Sequence, residues 1–324
     1  MSTKDKILEL FEAKKGTYFS GEDLAHRFSV SRSAVWKAVK ALQNDGYKID
    51  AVTNKGYCLS VDTDILSPQG IKKYLDDSYK NIEIDVLQTI DSTNTYIKQR
   101  VNSKLCDGYT VIAAEQTGGL GRKGRTFYSP KDSGIYLSIY LKPKNYSAQK
   151  AVRITTMAGV AMCETIKELS PKEPKIKWVN DIFIDGKKVS GILTQASFDL
   201  ESSSVEYAIL GLGINVYAPT DGFPDEIKDI AGYIFDKPQE DMKNKLAASF
   251  INHFMEIYKR DNDNSYIQKY KDYSFVIGKK VTIISSTSQR EAKVLSINDE
   301  CQLVVEFDNG LTETISSGEI SLKV

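Results

Sequence analysis

The ten residues Gln116–Arg125 limit the possible folds of this chain more than any other stretch. They include Gly118, Gly119, Gly121 and Gly124 with the cations Arg122, Lys123 and Arg125, and no acid occurs between Gln116 and Lys131. Glycine weakens the interior of a helix or a strand, so the run must be a loop held between regular elements. Its backbone N–H groups can wrap an anion while its Arg and Lys heads neutralise phosphate or carboxylate oxygens. A flexible surface loop with incidental charge is the alternative. The run is not a P-loop, because the Gly-Lys-Ser/Thr ending is missing. Nor does a Gly-x-Gly-x-x-Gly open a βα unit, as a dinucleotide fingerprint requires.

The first sixty residues have a different texture. Ile7, Leu8, Leu10 and Phe11 give one apolar helical face. Ser20-Gly21-Glu22-Asp23 resembles a capping box that opens a short helix through Arg27, and Ser31 can cap the next. There Val35, Ala38, Val39 and Leu42 recur at helical spacing and face a core, leaving Ser33, Trp36, Lys37, Lys40 and Asn44 on the other side. Gly46 ends this helix, and Ile49–Val52 and Tyr57–Val61 read as strands around Asn54-Lys55-Gly56. Three helices and a hairpin make a winged helix-turn-helix. The stretch carries ten Lys/Arg against seven Asp/Glu, so it is +3 and the remainder −3 in a chain of zero net charge. Nucleic-acid contact would place Ser33, Trp36, Lys37 and Lys40 in a major groove and Lys55 of the wing near phosphates. A small helical domain with a basic solvated face is the competing reading.

After Asp62–Asp64 and Ser67-Pro68, a hinge, strands and helices mix. A short helix follows at Gln69–Leu75, a strand at Ile135–Leu141, and a long helix at Ser147–Leu169 that ends before Pro171. Lys175–Val179 reads as a strand with Lys175, Lys177 and Val179 on one face. Ile182–Ile184 and Val189–Leu193 form a hairpin around Asp185-Gly186. Tyr207–Val216 is an apolar strand, Met242–Tyr258 a helix, and Val276–Val324 a set of short strands suited to a small β-barrel. Three further patches stand out: Asp91-Ser92-Thr93-Asn94, which can bind a polar ligand edge or cap a helix; Lys175–Asp181; and Gly211-Leu212-Gly213-Ile214-Asn215. Glycines inside a strand suit the close approach of a ligand or another backbone.

Composition narrows the chemistry. The 324 residues suffice for two or three domains, and 41% hydrophobic with 27% charged residues is ordinary for a soluble protein. The polar start, Met1–Lys6, does not resemble a signal peptide, and no apolar run approaches a membrane span, so a cytoplasmic location is expected. Cys58, Cys106, Cys163 and Cys301 are scattered, and His26 and His253, the only histidines, suit surface or packing roles. No metal site held by the protein is expected.

In this order, behind a winged helix, the four patches resemble the family of bifunctional biotin–protein ligases and biotin operon repressors (BirA type). The resemblance spans essentially the whole chain. The Gly-rich basic loop together with Lys177-Trp178-Val179-Asn180-Asp181 carries most of its specificity. It implies an α+β multidomain protein: a winged helix-turn-helix at 1–63, a mixed α/β ligase domain of class II synthetase type at 66–272, and an SH3-like domain at 275–324.

The resemblance also implies roles. Ser92, Thr93, Asn94 and Gln116 match biotin contacts, and Leu120, Gly121 and Arg122 match the loop over the biotin carboxylate and adenylate. Lys177 matches the central catalytic lysine, with Arg122 beside it in that role. Arg125, Lys188, Gly213, Asn215 and Lys323 fall on the nucleotide side. The segment 216–235 matches a loop that orders over the adenylate. Leu120 stands where the family usually has Arg or Lys, and Val179 replaces a common proline. The implied reaction joins biotin and ATP, with Mg²⁺ on the phosphates, into biotinyl-5'-AMP and then biotinylates a biotin carboxyl carrier protein of a biotin-dependent carboxylase. The adenylate is also expected to act as corepressor, favouring a homodimer on operator DNA, with no membrane partner. Three other readings stay open: a biotin-sensing repressor without ligase activity, a ligase whose winged helix has no operator, and a lipoate ligase.

Overall fold

Three serines set where the first helices start. Ser2, Ser20 and Ser31 each accept a hydrogen bond from the backbone N–H three residues on, capping α1 (Thr3–Ala13), α2 (Gly21–Phe28) and α3 (Arg32–Asn44). Only the first is a reciprocal capping box; at the second, the Asp23 carboxylate takes the Ser20 hydroxyl instead. In the computed structural model, which describes residues 1–322 apart from 132, 145, 200–203, 261–263, 285–287 and 317, the chain forms two units. The first is Met1–Asn81 with Lys237–Ser249, and the second is Ile82–Asp236 with Phe250–Val324.

In the first unit the three helices bury Ile7, Phe11, Leu24, Val35, Val39 and Leu42 against one another. The wing, β1 (Ile49–Val52) and β2 (Gly56–Leu59), pairs antiparallel and closes the core with Ile49 and Leu59. Phe19 joins it through two backbone bonds with Tyr57. A Cβ on Gly56, whose φ is +97°, would lie 2.0 Å from the Phe19 carbonyl oxygen, so this position requires glycine. A short helix, α4 (Pro68–Lys72), is capped by Ser67.

The second unit is built on a seven-stranded sheet. Its strands are β3 (Ile84–Ile90), β4 (Thr110–Gln116), β5 (Gly134–Leu141), β6 (Lys175–Lys177), β7 (Asp181–Ile184), β8 (Lys187–Asp199) and β9 (Ser204–Asn215). Their spatial order is β3-β4-β5-β9-β8-β7-β6, and only β3 and β4 pair parallel. The helices are α5 (Thr93–Lys98), α6 (Ala148–Leu169), the part of α7 (Met242–Lys259) from Phe250 on, and α8 (Ser265–Tyr273); the first eight residues of α7 belong to the first unit. β6 stops at Lys177, so Val179 belongs to the following turn and is not in register with Lys175 and Lys177.

Register explains the shape of the two sheet faces. Ile112, Leu137, Leu212 and Ile192 lie in one row across β4, β5, β9 and β8, all buried. The Ile192 side chain comes close to Gly159 of α6, which covers this face. One residue along, every side chain points the other way. There the rows read Ser138–Gly211–Leu193 and Tyr136–Gly213–Gly191. α5 covers the near end of this second face, through Ile97 on Tyr109, Val111, Tyr140 and Ile209. The glycine rows beside it leave a concavity floored by backbone.

The C-terminal residues form a five-stranded antiparallel sheet, the β-domain expected there. Its strands are β10 (Lys280–Ile284), β11 (Gln289–Ile297), β12 (Leu303–Phe307), β13 (Thr312–Ile315) and β14 (Glu319–Leu322), in the order β13-β12-β11-β10-β14. Val281, Val294, Leu303 and Val305 fill its interior. The Trp178 indole, buried, donates to the Cys301 carbonyl at 2.8 Å and ties this sheet to the end of β6.

Candidate active site and nucleic-acid interface

Above the glycine rows lies an open cleft. Ser92, Thr93, Asn94 and Gln116 line one side, and Leu120, Gly121 and Arg122 the other, with Phe127, Lys188, Gly191, Gly211 and Gly213. The floor must be glycine. A Cβ on Gly211 would meet the Asn94 Oδ1 at 2.3 Å, and one on Gly213 would meet the Phe127 ring at the same distance. Ser92 caps α5, one of the two uses foreseen for that cluster, and Ser92, Thr93 and Asn94 line the cleft wall. The Gln116 carboxamide accepts from the Thr93 N–H at 2.9 Å and donates to Ser129 at 3.2 Å.

The Gly-rich loop is a tight hairpin tip. Phe127 N–H donates to the Gly119 carbonyl, Gly121 N–H to that of Arg125, and Lys123 takes a left-handed φ of 56°. Gly119 has no room for a side chain: a Cβ there would lie 2.5 Å from the Phe127 carbonyl oxygen. Arg122 is pinned by the Asn180 carboxamide oxygen at 3.0 Å and the Gly318 carbonyl at 2.9 Å. Arg125 forms a two-pronged pair with Glu319, at 2.6 and 2.7 Å. Burial pushes the Glu319 carboxyl up, but Arg125, Lys123 and Lys177 bring it net below the usual carboxylate range.

A second cavity adjoins the first beyond Arg122 and Phe127. Its walls carry Lys123, Arg125, Lys188, Asn180, Asp181 and Glu319, so cations dominate it. Lys188 pairs with Asp181 at 2.7 Å and lies 6.0 Å from the centre of the Phe127 ring. Lys177, on β6, lines neither cavity. It is half-buried, and burial together with the charges of Lys188 and Arg125 holds its ammonium below the usual lysine value, against the pull of Asp181 and Glu319. Asn215 also stands back from the cleft. Its carboxamide donates to the Gly232 carbonyl, and its own carbonyl accepts from Ile234, so it holds the segment 216–235. Lys188 binds the same segment through backbone bonds with Ile230 and Gly232. Lys323 lies outside the described residues.

Sequence reasoning passed over Phe127, Asn180 and Glu319. Asn180 sat inside a motif already singled out, but Phe127 and Glu319 gain their roles only from the tertiary fold. Among the described residues, no group of three His, Cys, Asp or Glu side chains is placed to hold a metal ion.

In the N-terminal unit, Ser33, Trp36, Lys37 and Lys40 are all exposed along α3, with Trp36 showing 52% of its surface. Arg32, at the first position of α3, is exposed beside them and was not singled out from sequence. Lys55 is exposed at the wing turn, 5.8 Å over the Tyr18 ring. A solvent-facing Trp among cations suits apolar contact with base edges and salt links to phosphates.

Residues 86–215 match the Biotin/lipoate A/B protein ligase family, residues 3–58 an HTH domain, and residues 276–323 the Biotin protein ligase C terminal domain. The class is therefore a protein ligase of the biotin/lipoate type that carries a helix-turn-helix domain. Over 323 residues the chain is 31% identical to a bifunctional ligase/repressor BirA of Bacillus spizizenii, covering 98% of this chain and 97% of that one. It is 26% identical to the Escherichia coli bifunctional ligase/repressor BirA, over 95% of this chain and 94% of that one. Among solved structures, the Aquifex aeolicus biotin protein ligase in complex with biotin and ATP is similar, with TM-score 0.62 and 25% identity over 74% of this chain and 98% of that chain. The chain belongs to the bifunctional ligase/repressor BirA family.

Proposed function

We propose that the protein joins biotin to a biotin carboxyl carrier protein through biotinyl-5'-AMP, and that the adenylate-bound protein represses genes of biotin synthesis or uptake. The observation that carries the ligase half is the division of one continuous site into two chemically different parts. Ser92, Thr93, Asn94 and Gln116 offer an uncharged polar wall suited to a neutral ureido head. Arg122, Lys123, Arg125 and Lys188 gather around the adjoining cavity, which suits a carboxylate and a polyphosphate.

In the first step a biotin carboxylate oxygen bonds to the α-phosphorus of ATP as the bond to pyrophosphate breaks. Both reactants are anions, so their approach is opposed until cations offset the charge. Arg122, fixed by Asn180 and Gly318, is already oriented where the two cavities meet, so little reorganisation is needed. Lys188 lines both cavities with it and adds positive charge there, and Lys177 adds more from behind, within reach of the charges of Lys188 and Arg125. Mg²⁺ carried on the ATP phosphates supplies further charge screening; Asp181, engaged by Lys188 and Asn180, suits a phosphate-borne rather than a protein-held ion. In the second step the carrier lysine amine attacks the activated carbonyl and AMP leaves. No covalent enzyme intermediate is required.

The helix-turn-helix domain and the exposed Trp36, Lys37 and Lys40 support the repressor half. A dimer on a two-fold operator is the arrangement proposed for it. No helix among the described residues is long and apolar enough to cross a membrane, and a cytoplasmic location is part of the proposal.

The ligase is tested with purified protein, biotin, ATP, Mg²⁺ and a carrier domain, read by avidin blot. Transfer is expected, and it should disappear without ATP or without the acceptor lysine. Biotin binding without transfer would leave a sensor-only repressor. A salt-dependent gel shift that strengthens with biotin and ATP tests the second half.

A further inference from the structure

Ser138 is completely buried on β5, beneath the uncharged wall of the cleft, and lines neither cavity. Its hydroxyl oxygen lies 2.6 Å from Asn94 Oδ1 and 2.7 Å from Thr93 Oγ1. The Asn94 carboxamide in turn donates from Nδ2 to Gln195 Oε1 at 3.0 Å. Thr93 Oγ1 also lies 3.1 Å from Gln116 Oε1, which already accepts from the Thr93 N–H.

Two hydroxyl protons serve three oxygen–oxygen contacts, so with Asn94 held by Gln195 in this orientation the longest contact, Thr93 to Gln116 at 3.1 Å, goes without a proton. Asn94 Oδ1 can only accept, so at 2.6 Å the single Ser138 proton must lie between them; otherwise two lone-pair oxygens would face each other in a dry interior. The Ser138 oxygen is then an acceptor for Thr93, and the one Thr93 hydroxyl proton turns inward to it. Two consequences reach the cleft. Thr93 Oγ1 presents lone pairs, an acceptor for a ligand N–H. Asn94 is locked with its second amide proton free, a donor for a ligand carbonyl. The close approach that permits this needs Gly211, where a Cβ would strike the same Asn94 oxygen.

We infer that Ser138 is a positioning residue that sets the hydrogen-bond polarity of the cleft wall, selecting a ligand edge that alternates N–H and C=O, as a cyclic urea does. This rests on reading the cleft as the biotin site. Gln195, exposed on β8, supports the same lock from the other end of Asn94.

The test uses the full-length protein and follows biotinyl-adenylate formation with biotin and with 2-iminobiotin, whose edge has an imine in place of the urea carbonyl. In Ser138→Ala, Thr93 can redirect its proton to Gln116 and Asn94 is free to flip. The expected result is a biotin KM raised about tenfold or more, with kcat at saturating biotin and the KM for ATP unchanged. The preference for biotin over 2-iminobiotin should fall at least about fivefold. Gln195→Leu changes a surface residue, so it tests the lock even if Ser138→Ala fails to fold. It should raise the biotin KM about two- to fivefold and lower the preference in the same sense. Wild-type turnover together with an unchanged biotin KM and preference in the folded variants would overturn the role of Ser138. A drop in kcat with no change in preference would also overturn it. Wild-type protein that forms no biotinyl adenylate would overturn the reading of the cleft instead.

Discussion

In the catalytic unit the buried Thr93, Asn94 and Ser138 carry no charge and hydrogen-bond to one another, whereas in the N-terminal unit Glu12 and Asp241 are buried around the single ammonium of Lys15. Asp241 is well provided for. Its carboxylate also takes Lys73 at 3.2 Å, Tyr74 at 2.7 Å and Asn244 at 2.7 Å; burial pushes it up, and Asn244, Tyr74 and Lys15 bring it net below the usual range. Among the described residues Glu12 pairs only with Lys15, at 3.2 Å, and neither of its oxygens makes a well-aligned hydrogen bond. Burial pushes its carboxyl up to about 7, with Asp241 adding to the rise and Lys15 and Lys73 opposing it. Neutral networks fix direction and depend little on pH. Charged ones fasten chain segments, here Lys237–Ser249 within the first unit, at the cost of a titratable weak point.

The strongest way to break this contrast is Asp241→Ala. It removes one of the two carboxylates on the buried Lys15 ammonium, together with the charged acceptor shared by Lys73, Tyr74 and Asn244, so a loss of about 3–5 kcal/mol is expected in denaturant unfolding of the N-terminal unit. A loss below about 1 kcal/mol would mean that the cluster is decoration.

Next in size is Lys177→Ala, which tests the charge proposed above to serve the reaction. Adenylate formation should fall by about 10²–10³ while the thermal midpoint holds. Near-normal turnover would remove Lys177 from the chemistry.

Glu12→Gln sharpens the contrast through pH. Because the folded carboxyl is raised, the folded state keeps a proton that the unfolded chain releases. Stability from this group therefore declines as pH rises from about 4.5 to about 7, then stays flat. The Gln variant should lose that slope and at pH 8 match or exceed wild type by about 1–3 kcal/mol. An unaltered slope between those pH values would point to another group. Asp241 acts with the opposite sign: its contribution is present above the ordinary Asp value of 3.8 and is lost as pH falls through its lowered folded value.

The smallest effect is expected from Leu120→Arg. Leu120 is 45% exposed on the loop over the cleft, and a cation there should slow biotinyl-AMP release by about tenfold or less. Equal release rates from the two proteins would show that the three remaining cations of the loop suffice.

Much of this was legible because it is local. Serine caps, the apolar spacing of Val35–Leu42 and the turns at Asn54-Lys55-Gly56 and Asp185-Gly186 act within a few residues, and their elements lie where the pattern placed them. The glycines of β9 announced a close approach, and Asn94 and Phe127 supply it. Helix α8 escaped notice because its buried face is Tyr266, Ile267 and Tyr270, tyrosines that a hydropathy pattern counts as half-polar. Lys177 and Val179 were placed on one strand face because alternation cannot show where a three-residue strand ends. Ser138 looked like one polar residue in an apolar strand. Its partners are more than 40 residues away in sequence, and the packing of α5 over β5 brings them together.

The glycine floor of the cleft has one further consequence, for how this site can change over generations. Its base is main chain, which substitution cannot reshape gradually: any side chain at Gly211 or Gly213 strikes Asn94 or Phe127. Gradual tuning of affinity must therefore come from the walls and the overhanging loop, where Leu120 is 45% exposed.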